Sequence, residues 1–437
     1  MKRIYFCSLI LVVALGSRAI ADTTNEPMPS ATNALPIDAL VNEALDKNLE
    51  LNFYRAEIAA AKAGRKSAGL PANPELSGSV GQKSAREYST SLRAEGVAWS
   101  VSIVQPFEWP GRIGLRKAIA NRDIELADLG YERFRVSLAA RIRVLAYGLF
   151  ADQEKATAAR EVADRFTALR DVLVQRDPAG LTPLLETRVI EATDLTMQRR
   201  ASDAELAAQV ALLELNQLRG VEPGAHLAVA RTQLVFHPSD ALEKLVALAL
   251  TNNFELRVRA VELAQQGFRV ALTKNERFPT LRVGPTFTEE NALERERVIG
   301  VGVSFPLPLW NRNTPNIEAA TARQAQAETS FAVAQREVER KVMEAALTYD
   351  AKLNEMSKWR PDAVDYFHEA AELADRHYRL GAVQVSVYVE LQKQYLDAVE
   401  TLLDTKKDAL EAAQNLELLT GLTAPLSSSQ EEKNHQP

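Results

Sequence analysis

VSIVQPFEWPGR occupies Val101 to Arg112, and VGVSFPLPLWNR occupies Val301 to Arg312. Each stretch opens with large apolar residues alternating with small ones, the period of a β-strand with two unlike faces. Each then runs into prolines, Pro106 and Pro110 in the first and Pro306 and Pro308 in the second, with Trp109 and Trp310 beside them. Proline has no N–H to give to a strand ladder, so it stops a strand and redirects the chain. A long segment rich in helix formers follows both stretches. The same strand-to-helix corner is thus written twice, 200 residues apart.

The rest of the chain keeps that offset. Pro36-Ile37-Asp38-Ala39-Leu40 resembles Pro238-Ser239-Asp240-Ala241-Leu242, and Asn48-Leu49-Glu50-Leu51 matches Asn253-Phe254-Glu255-Leu256. Pro74-Glu75-Leu76 falls on Pro279-Thr280-Leu281, Gly180 on Gly381, and Glu214–Val221 on Asn415–Leu422. A period this long indicates a duplicated half and not a solenoid unit. The halves are residues 36–221 and 238–422. Residues 22–35 precede them, a linker at 222–237 joins them, and a polar tail at 423–437 follows.

Within each half the order is helix, strand, strand, long helix, helix, so the fold class is mainly α with a small β part. Residues 37–70 carry apolar side chains at three- and four-residue spacing and are expected to form one helix, ended by Pro71 and Pro74. Strands are expected at about 75–83 and 97–105, and again at about 280–289 and 297–305. Val97, Trp99, Val101 and Ile103 face one way and Ala98, Ser100 and Ser102 the other. Such strands suit one side of a soluble sheet. Their length of about ten residues and their Gly/Ser/Thr face equally suit a membrane barrel around a wet lumen. Helix then runs without proline from about Leu115 to Gln175, and from Asn316 to Leu380 with Pro361 as a kink. Sixty helical residues extend roughly 90 Å, more than a globule needs.

The N-terminus has Lys2 and Arg3, an apolar run from Ile4 to Leu15, and Ala19-Ile20-Ala21, the pattern of a secretory signal peptide over residues 1–21. The single cysteine, Cys7, lies inside it, so the exported chain is expected to carry no disulfide or thiolate site. The net charge of -6 comes with no basic block able to follow a phosphate backbone, which argues against nucleic acid as a partner.

Signal peptide, tandem halves, two strand pairs and long paired helices together resemble the TolC-type outer-membrane factor family over about Pro36 to Leu422. The corners resemble its heavy-metal branch, the CzcC-like exporters of the cobalt–zinc–cadmium type, although Thr314-Pro315 stands where that branch commonly has Gln-Gly. The resemblance implies a homotrimer: twelve strands close one barrel in outer-membrane lipid, continued by a periplasmic α-helical barrel. It implies a periplasmic adaptor and an inner-membrane pump of the RND type as partners, and no cofactor. The turns RDPAGLTP and YRLGAVQV would be periplasmic tips that meet the adaptor, with Gly180, Leu181, Thr182, Leu380, Gly381 and Ala382 as docking residues. Glu390, nine residues after Gly381, sits where the family can carry an acidic gate residue, and Glu186 lies just past the first tip. Glu390 also fits a plain solvated helix face. The second acidic gate position of the family is Val387 here.

Catalytic constellations are missing from the sequence: no Gly-x-Ser-x-Gly, no phosphate-binding glycine loop, no His-Glu-x-x-His. His368 and His377 are nine apart, do not share a face at i, i+4 spacing, and read as surface residues, so no metal ligand set is visible. The expected function is passive efflux of small solutes, with heavy-metal cations favoured by the corners. A multidrug or type I protein secretion duct, and a soluble periplasmic coiled-coil scaffold or adaptor, are the alternatives.

Overall fold

The computed structural model describes residues 34–86, 93–176, 184–230, 232–292, 294–360, 363–422 and 425–431. The signal segment and the first tip residues Gly180, Leu181 and Thr182 lie outside them. The elements of the first half are α1 (Ile37–Lys47), α2 (Glu50–Ala68), β1 (Glu75–Arg86), β2 (Arg93–Phe107), α3 (Arg112–Arg176) and α4 (Leu184–Arg219). Then come β3 (Thr232–Phe236), α5 (Leu242–Asn252), α6 (Phe254–Asn275), β4 (Leu281–Asn291), β5 (Arg295–Ser304), α7 (Thr314–Ser357), α8 (Ala363–Arg379), α9 (Val385–Thr420) and β6 (Ser427–Glu431). Among the described residues no helix is long and apolar enough to cross a membrane.

Four sequence expectations need correction. The helix expected over 37–70 is two helices. The Asn48 side chain accepts the Glu50 N–H at 2.8 Å and donates to the Leu218 carbonyl at 2.8 Å, so it caps α2 while holding the end of α4. The strands of the first hairpin outrun their expected ends, because its ladder continues to the Arg86–Arg93 pair through residues read as polar loop. The helix expected from Asn316 to Leu380 is two helices, α7 ending at Ser357 and α8 starting at Ala363, and Pro361, read as a kink, lies outside the described residues. Finally, the linker and the tail contain β3 and β6, which pair antiparallel from Thr232–Glu431 to Phe236–Ser427.

The 65 residues of α3 extend about 100 Å at helical rise. Its buried face carries Leu138, Ile142, Leu149, Val162 and Phe166, which meet Ile190 and Met197 of α4 and Tyr388, Leu396 and Leu403 of α9. Alanines at 146, 151, 159 and 163 are almost fully buried on the same helix, and their small side chains let neighbouring backbones approach closely. In the second half Val338, Val342 and Tyr349 of α7 pack on Leu245 of α5 and Leu416 of α9. Val333 and Leu347, on the same helix, stay 58% and 69% exposed. One apolar stripe of α7 is therefore satisfied within the chain and another is not.

Candidate functional site

The sheet runs β1-β2-β4-β5, all antiparallel, so the hairpin of each half is joined to the other by the β2–β4 pair. Its register sorts side chains cleanly. Ser77 is opposite Ser102, Ser102 opposite Thr286, and Thr286 opposite Gly300; Ser79, Ser100 and Thr288 form the next polar row. Hydroxyl pairs Ser77–Ser102 and Ser79–Ser100 are both 2.8 Å apart. The other face carries Leu76 opposite Ile103, then Val101 opposite Phe287 and Phe287 opposite Ile299, with Trp99 and Phe287 rings 5.2 Å apart. Period-two alternation on four neighbouring strands thus gives one apolar and one hydroxyl-rich surface. Val80 and Ile299 on that side are more than 80% exposed, so none of the described residues covers them. Strands of 12, 15, 11 and 10 residues reach the length that crosses a bilayer at barrel tilt. At the far end of the hydroxyl face, Lys83 reaches Glu290 at 2.6 Å and Glu296 at 3.1 Å. Among the described residues β1 and β5 each pair on one side only.

The corners differ. In the first, buried Pro106 is accommodated within β2 opposite Arg282, and the strand ends one residue later, at Phe107. Past it Gly111 adopts φ +89°, and Arg112, 9% exposed, donates to the Asn275 and Phe278 carbonyls, the Asn275 side chain and Thr280. Asn275 returns a bond to the Pro110 carbonyl at 3.0 Å, and Trp109 stacks on Phe278 at 4.6 Å. In the second corner Pro306 and Pro308 lie beyond the end of β5, Trp310 is 95% exposed, and Arg312 is exposed. Asn313 there takes a left-handed φ of 62° and donates to the Thr273 carbonyl at 2.8 Å. Arg112 is the residue whose role the sequence hid, since its partners lie more than 160 residues away.

At the described tip, Gly381 has φ +72°. Its N–H bonds the Tyr378 carbonyl and the Ala382 N–H bonds the His377 carbonyl, which ends α8 in a Schellman turn. Leu380 projects 76% exposed beside it. Glu390 is exposed and accepts from Gln394 at 2.8 Å. Glu186 is half-buried near Tyr378, whose hydroxyl is held above its usual range by burial and by that carboxylate. Tyr378 stacks on Tyr388 at 5.1 Å, and Tyr388 packs on Phe166 at 5.2 Å, so an aromatic cluster stiffens this end of the hairpin. Higher on α8, His368 is half-buried beside Glu161 and Glu372, a grouping across two helices.

The model for the outer membrane efflux protein family matches residues 40–221 and 245–422. The chain is 24% identical over 341 residues to the cobalt-zinc-cadmium resistance protein CzcC of Cupriavidus metallidurans, covering 76% of this chain and 78% of the relative. It is also 24% identical to the nickel-cobalt-cadmium resistance protein NccC of Alcaligenes xylosoxydans xylosoxydans, over 68% and 66% of the two chains. In structure it is similar to the Campylobacter jejuni CmeC outer membrane channel, with a TM-score of 0.70, 13% identity and 95% of each chain covered. Long paired helices, a sheet with one apolar and one hydroxyl face, and both matched halves converge on one conclusion: this chain belongs to the outer membrane efflux protein family.

Proposed function

We propose that three copies of this chain form a passive outer-membrane duct that exports divalent heavy-metal cations. The observation that carries the duct is the sheet, with four strands, two half-paired edges and faces of opposite polarity. Lipid cannot hydrogen-bond an open strand edge, so such a sheet is stable in hydrocarbon only when closed into a barrel. Three copies supply twelve strands with the Ser/Thr/Gly face inward, a number and polarity suited to a water-filled lumen. The uncovered stripe of α7 supplies a face for neighbouring copies. A heavy-metal cargo is supported by the names of the two relatives, both metal-resistance proteins.

The duct takes its energy and its choice of cargo from an RND-type inner-membrane pump, through a periplasmic adaptor. The adaptor docks on the tips formed by Gly180, Leu181 and Thr182 and by Leu380, Gly381 and Ala382. Exposed Glu390 and half-buried Glu186 stand just past those tips. Threefold symmetry turns either into a ring of carboxylates that attracts cations. Deletion of the gene should sensitise cells to zinc, cobalt, cadmium or nickel and leave a drug panel unchanged; sensitivity to drugs alone removes the metal cargo. Glu390→Gln should raise single-channel conductance or weaken cation block, and identical traces remove it from the gate.

A further inference from the structure

We propose that Glu161, His368 and Glu372 form a divalent-cation site that pins α8 to α3. The three side chains each offer a donor atom, and those atoms lie within 4.8 Å of one another. His368 and Glu372 are one helical turn apart on α8, and Glu161 faces them from α3. The His368 Nε2 is 3.4 Å from a Glu372 oxygen. Two ligands of a tetrahedral zinc ion with bonds of about 2.0–2.1 Å are about 3.3 Å apart, so this edge of the polyhedron already has the right length. One nitrogen and two carboxylate oxygens, with a fourth position open to water, form a donor set that zinc and cobalt accept.

The surroundings favour a cation. His368 offers Nε2 toward Glu372, and its other ring nitrogen, Nδ1, is buried with no hydrogen-bond partner among the described residues. Its ring packs 5.1 Å from Tyr395, which fixes its plane. Arg165 is the competing explanation. It is paired with Glu161 and lies 3.7 Å from Glu372, so without an ion it neutralises part of the same charge. Two carboxylates and one guanidinium still leave a net negative charge, and one Arg165 nitrogen is itself buried without a partner. The arginine holds the carboxylates in place for an ion and weakens its binding.

A position for the ion has a mechanical use. α7 ends at Ser357, so α8, which starts at Ala363, does not continue the same helix. What then locates α8 is its packing on α9, where Gln392 donates to the Ala371 carbonyl at 2.8 Å, and this cluster on α3. An ion here ties the helix that leads to the tip, whatever the duct carries, so the site stands apart from the cargo reading.

The test is zinc titration by calorimetry, and cobalt titration by visible absorption, on tag-free full-length protein in detergent after chelator treatment. One saturable site per chain is expected, with His368→Ala lowering affinity at least tenfold. Glu372 is 51% exposed, so Glu372→Gln should fold normally and weaken binding similarly, while Arg165→Gln should tighten it. The proposal is overturned if the wild type and Arg165→Gln show no saturable binding, or if His368→Ala and Glu372→Gln bind as the wild type does. Metal tolerance of the deletion strain reads the cargo independently of this result.

Discussion

Asn48 and Asn253 stand at the same place in the two halves. Asn48 donates to the Leu218 carbonyl at the end of α4, and Asn253 to the Leu419 carbonyl at the end of α9 at 2.9 Å. Both also accept the N–H two residues on. The helices they hold both end at a left-handed glycine, Gly220 with φ +68° and Gly421 with φ +62°. Around this shared joint the halves diverge. In the first, Arg219 pairs with Glu43 at 2.7 Å, and the matching positions in the second are Thr420 and Leu248. Asn216 donates to the Pro223 and Ala225 carbonyls, whereas its counterpart Glu417 accepts the Leu426 N–H at 2.6 Å. Duplication kept the backbone joint, whose geometry admits few residues. The polar groups that tie down the following segment drifted, because many donor–acceptor pairs serve that end.

The largest expected effect breaks the joint. A Cβ on Gly220 would lie 2.7 Å from the Lys47 carbonyl oxygen, and on Gly421 2.8 Å from the Asn252 Cβ. Gly220→Ala and Gly421→Ala should each cost about 2–4 kcal/mol, from left-handed strain plus overpacking, read as a lower thermal midpoint in detergent. If one substitution is silent, the two joints are not equivalent.

Next come the asparagines. Asn48→Ala and Asn253→Ala each lose a cap and leave a carbonyl unpaired, at about 1–2 kcal/mol apiece. Similar losses sharpen the comparison, and a strong asymmetry breaks it.

The smallest effect is in pH dependence, where the halves should have opposite slopes. Burial alone would raise the Glu43 pKa, but hydrogen bonds and charge from Lys47 and Arg219 outweigh it and hold the carboxyl below its ordinary 4.5. Its contribution is present above that value and is lost as pH falls through the lower folded value. Glu417 is raised above 4.5 by burial, with the Leu426 N–H, Arg143 and Gln414 opposing. Its contribution is full below 4.5 and is lost as pH rises through the higher folded value. Glu43→Gln should therefore flatten the acid side of a plot of thermal midpoint against pH. Glu417→Gln should flatten the side above 4.5, and parallel curves for both variants would contradict the contrast.

Much of this was legible beforehand. The alternation Val97, Trp99, Val101, Ile103 against Ala98, Ser100, Ser102 became the two faces of β2 as read. Missed features were those needing a distant partner. The break at Asn48 depends on a carbonyl 170 residues away. β3 and β6 are short and weakly patterned, and are strands only because they find each other. His368 read as a surface residue because Glu161 comes from α3, and nothing local to Arg112 announces its partners, which lie more than 160 residues on.

By itself the sequence determined the duplication, the period of each element and the polarity of each strand face, because these rest on residues that are neighbours or one helical turn apart. Only the tertiary structure decided that β2 meets β4 to make one sheet of two hairpins, that linker and tail pair, and that Glu161 approaches His368. Those contacts join segments whose relative placement is set by all the intervening packing at once, and no local pattern encodes it.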